Sequence, residues 1–179
     1  MQNIEVPQYI HRFVNNYLAI HNVAQRGKFD GNFQNQFTGI LGEAVVHEYI
    51  FGQLPQLKEG NDHGIDMIYK GFTIDVKTMR RKGFIKPYFV HNFLTLQLKT
   101  KTDILIFNNY CEPKNIIQIC GWIYKDELLQ RGQLIKKGNK RLRADGTELI
   151  IQEDTIEVEQ RNLRPFILKS SMPTVDISA

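Results

Sequence analysis

Cysteine is scarce in this chain. The 179 residues hold two, Cys111 and Cys120, and their spacing matches no metal-ligand pattern, which excludes a cysteine zinc site. They read as reduced, structural thiols of a cytoplasmic protein. Long apolar runs are missing too: no stretch is long enough to span a bilayer, and the N-terminus has no signal-peptide pattern, so no membrane is expected. Neither an internal repeat, nor a low-complexity tract, nor an interdomain linker interrupts the sequence. Residues 1–169 therefore read as one domain with room for a real core, and residues 170–179 as a mobile tail or an arm for a partner subunit to order. Charge of one sign is in modest excess. A net +4 and a pI near 9.0 permit a nucleic-acid partner without demanding one.

What is present concentrates in residues 64–77. Two β-rich runs, 65–69 and 72–78, flank Lys70 and Gly71, and glycine at the second turn position supplies the positive φ of a tight hairpin. A turn symmetric about those two residues places Tyr69 opposite Phe72, Met67 opposite Ile74 and Asp66 opposite Asp75. Alternation with period two puts Lys77 on the face of Asp75, while Ile65, Met67, Tyr69, Phe72, Ile74 and Val76 line the other. Opposed like charges in an antiparallel pair are destabilising. A divalent cation resolves that conflict, since Mg²⁺ is typically held by one or two carboxylates together with waters and phosphate oxygens. The plainer alternative is a surface hairpin in which Lys77 neutralises an acidic pair.

Asp66, followed on the next strand by Asp75, Val76 and Lys77, resembles the signature of the PD-(D/E)XK nuclease superfamily, with Ile65 in place of the nominal proline. The resemblance spans roughly residues 43–128. It implies an α/β protein with a restriction-endonuclease-like αβββαβ core: a mixed central sheet flanked by helices, here with an extra N-terminal helix. It also implies Mg²⁺, with Mn²⁺ as a substitute, held by Asp66, Asp75 and the Val76 carbonyl, while Lys77 helps activate water. Glu43, in a Gly-Glu pair on the helix before the hairpin, would complete the metal shell and count with Asp66, Asp75 and Lys77 as catalytic. Glu48 is the competing helix acid, nearer the apolar stripe. His47, one turn after Glu43, is either a further ligand or a flank of the core.

Around this motif, apolar spacing predicts helices over about 6–25, with Pro7 near the start, and about 35–51. His11 and His21 fall on polar helix faces, and residues 27–32 form a connector. Asp62 and His63 lie close to the motif, although local turn chemistry explains them equally. Residues 103–110 read as a buried central strand and 116–124 as another. A strand end passes into a short helix by Leu128, with Trp122 as packing. For residues 93–99 alternation favours a strand, whereas the resemblance places a helix in this region. Residues 149–159 read as a strand or extended return.

Two basic clusters suggest contacts to a phosphate backbone: Arg80, Arg81, Lys82 and Lys86 just past the motif, with Tyr88 and Phe89 nearby, and Lys136, Lys137, Lys140 and Arg141 in a polar loop. The expectation is a metal-dependent DNA endonuclease, with DNA favoured over RNA. Cutting both strands usually needs two sites, which makes a homodimer plausible. Two alternatives remain: a catalytically silent nucleic-acid-binding protein of the same fold, and an unrelated α/β protein with a coincidental motif.

Overall fold

The computed structural model describes residues 1–21, 32–57, 64–142 and 146–167. In chain order the elements are β1 (Gln2–Glu5), α1 (Gln8–Ile20), α2 (Phe33–Phe51), β2 (Met67–Tyr69), β3 (Phe72–Arg81), β4 (Val90–Leu94), β5 (Ile104–Cys111), β6 (Ile116–Tyr124), α3 (Leu128–Arg131), β7 (Gln133–Ile135), β8 (Lys140–Leu142), β9 (Glu148–Ile150) and β10 (Thr155–Glu159). This is a mixed α/β fold.

A five-stranded sheet in the order β1-β6-β5-β3-β2 forms the centre. β3 and β5 run parallel, with Asp75 beside Leu105 and Lys77 beside Phe107. The remaining neighbours in this sheet are antiparallel. All eight residues of β5 are buried, which is why its sequence is a near-continuous apolar run rather than an alternation.

The sheet's two faces are covered differently. Ile74, Val76, Ile104 and Ile106 share a core with Ile10, Val14 and Leu18 of α1 and Leu41, Ala44 and Val45 of α2. Leu105, Phe107 and Ile123 look the other way and pack on Phe93, Ile156 and Val158. Those three belong to a second sheet, β4-β10-β7. Helices therefore cover one face and strands the other.

Several expectations meet the structure directly. The hairpin register is the one read from the turn, Met67 with Ile74 and Tyr69 with Phe72. Lys70 and Gly71 both take positive φ, 50° and 83°, as a type I′ turn requires. α1 begins after Pro7, and α2 begins two residues earlier than its apolar stripe suggested, because the Asn32 side chain accepts the Asn35 N–H and caps it. Residues 93–99 are neither all strand nor a helix that covers the sheet. Strand β4 ends at Leu94, and one short 3₁₀ segment, Thr95–Lys99, follows. The polar stretch after Arg131 carries two short strands, β7 and β8, and the expected 149–159 strand is divided into β9 and β10. α1 ends at Ile20 with His21 extended as its C-cap, short of the expected residue 25, because the backbone leaves the helical region there. Most of the 27–32 connector, Asp62, His63 and the 170–179 tail lie outside the described residues.

Candidate active site

β2 covers only Phe72, Thr73 and Ile74 of β3, so the hairpin opens immediately before Asp66. The Asp66 N–H still donates to the Ile74 carbonyl at 2.9 Å. Its side chain then takes over: the carboxylate accepts the Val76 N–H at 2.7 Å. A carboxylate thereby does the work of a strand carbonyl at the point where the two strands part.

Asp75 points to the opposite face from Ile74 and Val76 and is 2% exposed, and the Lys77 ammonium lies 2.7 Å from its carboxylate. Lys77 itself keeps 23% exposure and sits 5.9 Å from the centre of the Phe93 ring on β4. The second sheet thus roofs this acid–lysine pair. The plainer sequence alternative, a surface hairpin in which Lys77 neutralises an acidic pair, is met in the Lys77–Asp75 pairing but not in exposure, because Asp75 is buried.

Glu43 comes from α2, and its position is set by its neighbour. Gly42 is buried against β3: a Cβ built there would stand 2.7 Å from the Thr78 Cβ and 3.0 Å from its Cγ2, with Oγ1 closer still. Only glycine lets the helix sit this low on the strand. Glu43 is thereby close enough to act on Asp66, whose pKa is held well above the ordinary carboxylate range. Burial is the largest cause, followed by the negative charges of Asp75 and Glu43; the Val76 N–H and Lys77 oppose the shift. Three acids, from α2, from β3 and from the residue before β2, therefore compete electrostatically, with Lys77 as the cation that counters them at Asp66.

The other candidates are placed elsewhere. Glu48 accepts a hydrogen bond from the Tyr9 hydroxyl of α1, which accounts for an acid near the apolar stripe. His47 bonds the Gln53 carbonyl through Nδ1 at 2.8 Å and packs on Phe51, as a helix-end residue would. His91, on strand β4 of the second sheet, is fully buried, and that burial pushes its pKa down to about 4. It stays neutral near pH 7, a poor match for a base poised at working pH.

No family model, curated protein or solved structure matches this chain.

Carboxylate oxygens are the hard donors that Mg²⁺ or Mn²⁺ prefers, and a divalent cation would relieve the crowding of negative charge that raises Asp66. In donor chemistry and charge the three acids fit such an ion. In conformation they are not gathered around one point: among the described residues no group of three or more His, Cys, Asp or Glu side chains is arranged to hold a metal. Asp66 is turned to the Val76 N–H and Asp75 to Lys77.

The two basic clusters differ. Lys136 pairs with Asp154 at 2.8 Å, Lys137 with Glu153 at 3.0 Å and Lys140 with Glu148 at 2.9 Å. Arg141 pairs with buried Glu157. Each of these cations already has an acidic partner. Near the site, Arg80 pairs with Glu112 at 2.9 Å, and Arg81 is drawn inward, donating to the Val90 carbonyl at 2.6 Å with its guanidinium over Phe89. Lys82 and Lys86 are exposed. Sequence reasoning passed over two features here. Lys114, 4.5 Å above the Phe84 ring, joins this patch only through the fold, while the Gly42 seat had a signal in the sequence: a glycine inside a helix beside a candidate acid.

Proposed function

We propose that this protein is a metal-dependent nuclease of the PD-(D/E)XK type, with a restriction-endonuclease-like fold and DNA as substrate. The observation that carries the reading is the grouping at one end of the hairpin of Asp66, held by the Val76 N–H at 2.7 Å, with the buried Asp75–Lys77 ion pair at 2.7 Å. The charges of Asp75 and Glu43 raise the pKa of Asp66 beside it, and perturbed clusters of this kind are common at functional sites. Asp66, Asp75, Glu43 and the Val76 carbonyl would hold Mg²⁺, or Mn²⁺ in its place. When bound, the ion supplies Lewis acidity and lowers the pKa of its water.

The chain's own residues have distinct tasks. Asp75 fixes the Lys77 ammonium, which keeps enough exposure to meet a phosphate oxygen and to steady charge building on phosphorus. Phe93 lies on one side of that side chain, and the burial of Asp75 keeps water from the carboxylate end of the pair, so the two charges interact at reduced screening there. The Val76 N–H holds the Asp66 carboxylate in one orientation, and the Gly42 seat fixes the height of Glu43 above the strand. Arg80, Lys82 and Lys86 would meet the phosphate backbone downstream.

The test is cleavage of supercoiled and linear DNA with Mg²⁺, Mn²⁺ or EDTA, using the wild type and folded Asp75→Ala and Lys77→Ala proteins. Metal-dependent cutting lost in both variants supports the proposal; cutting that survives them refutes it. One observation favours a second reading, a silent DNA-binding protein: Asp66 and Asp75 already have protein partners. That protein would bind DNA with steep salt dependence and cut no substrate under any metal.

A further inference from the structure

The segment after β3 leaves large aromatic side chains in solvent beside lysines. Tyr88 is 59% exposed and Phe84 37%. Lys86 stands 5.9 Å from the Tyr88 ring centre, Lys114 stands 4.5 Å from that of Phe84, and Lys82, just past the end of β3, is exposed. Neither ring belongs to the two hydrophobic cores. The loop is nevertheless held firmly. The Ile85 N–H donates to the Gln118 side-chain oxygen at 2.8 Å, and Asn109 Nδ2 bonds both that oxygen at 2.9 Å and the Gly83 carbonyl at 3.1 Å. Buried amides of β5 and β6 thus lock an exposed aromatic segment in place, and Ile85 is tucked into the core beneath it. Lys82 is five residues beyond Lys77 along an extended chain, about 16 Å at strand rise.

We infer that Phe84 and Tyr88, with Lys82, Lys86 and Lys114, form a platform for single-stranded DNA. Exposed rings offer π-faces to unstacked bases, and the lysines attract the phosphates between them, the combination used by sequence-tolerant single-strand sites. Duplex DNA keeps its bases stacked on each other and meets only the lysines. The platform rests on the nuclease reading for its purpose but not for its test. The substrate class it implies is DNA with an unpaired stretch beside the scissile bond.

The experiment is fluorescence anisotropy with a labelled oligo-dT and a labelled blunt duplex, in EDTA, so that no cleavage is involved. Tyr88→Ala and Phe84→Ala should each weaken oligo-dT binding roughly 5- to 150-fold, with duplex affinity changed less than twofold. Tyr88→Phe, which keeps the ring, should restore oligo-dT binding. Lys86→Ala should weaken both ligands and flatten the salt dependence. Equal loss on both ligands in the alanine variants, or no loss on oligo-dT, would overturn the platform. Because the assay is metal-free, a failure to cut DNA has no bearing on its result.

Discussion

α2 contains two glycines whose replacement by alanine should have opposite effects. At Gly39 an added Cβ would meet nothing within 4 Å, whereas at Gly42 it would meet Thr78. Either substitution gains about 0.8–1.0 kcal/mol of helix propensity, so propensity cancels when the two variants are compared. What remains is the contact. Rotating the Thr78 side chain moves Oγ1 and Cγ2 but not Cβ, which would lie 2.7 Å from the new methyl. Restoring an ordinary carbon–carbon separation of about 3.5–4.0 Å needs α2 to retreat roughly 1 Å. Overpacking of this kind costs about 1–3 kcal/mol. Gly42→Ala should therefore melt about 2–12 °C below Gly39→Ala, measured by thermal denaturation under one buffer. Glu43 rides on the same helix, so a displacement near 1 Å should also lower cleavage by roughly 10²-fold, while Gly39→Ala cuts like the wild type. Coincident melting curves would refute the close seat.

Asp66→Asn keeps an acceptor for the Val76 N–H but removes a carboxyl whose pKa is raised. A raised folded pKa means stability that is full below the ordinary value of 3.8 and is lost as pH rises toward the folded one. The variant should match the wild type near pH 3.5 and exceed it at neutral pH, by on the order of 1 kcal/mol; denaturant titrations at both pH values check this. If Mg²⁺ binds at these acids with a Kd of about 1 mM, 10 mM should stabilise the protein by about 1.4 kcal/mol, and Asp75→Asn should abolish the shift in Tm. Tyr9→Phe should cost about 0.5–1.5 kcal/mol and leave cleavage intact, whereas Glu43→Gln should reduce it; equal losses in cleavage would return Glu48 to the site.

The hairpin is legible in the sequence because its information is local. A Gly at one turn position and a period of two fix which residues of 67–74 face each other, and every pair observed there follows. The buried strand β5 and the helices are legible for the same reason. The second sheet is not. β7 of that sheet, like β8 of the separate β8-β9 pair, is only three residues long, too short for periodicity to register, and the lysines at 136, 137 and 140 look like a solvated loop until acids from 148–154 arrive to pair with them. The environment of Glu48 and the seat of Gly42 likewise depend on Tyr9 and Thr78, residues more than thirty positions away in the chain. Local pattern names the acids and leaves open what surrounds them.

The two-sheet roof over Asp75 has a consequence for biosynthesis. β4, which supplies Phe93, pairs with β10, from Thr155↔Leu94 to Glu159↔Val90. β1, at the other end, pairs with β6. These are contacts of high sequence separation, which close slowly. A growing chain completes β3 and then waits for roughly 80 more residues, about 4–16 s at ordinary translation rates, before β10 can anchor the strand that shields its acids. Until then Asp75 and Lys77 lack the cover that Phe93 and β10 give them in the folded chain. Synthesis of β10, not of the hairpin, sets the earliest moment at which this cover can close.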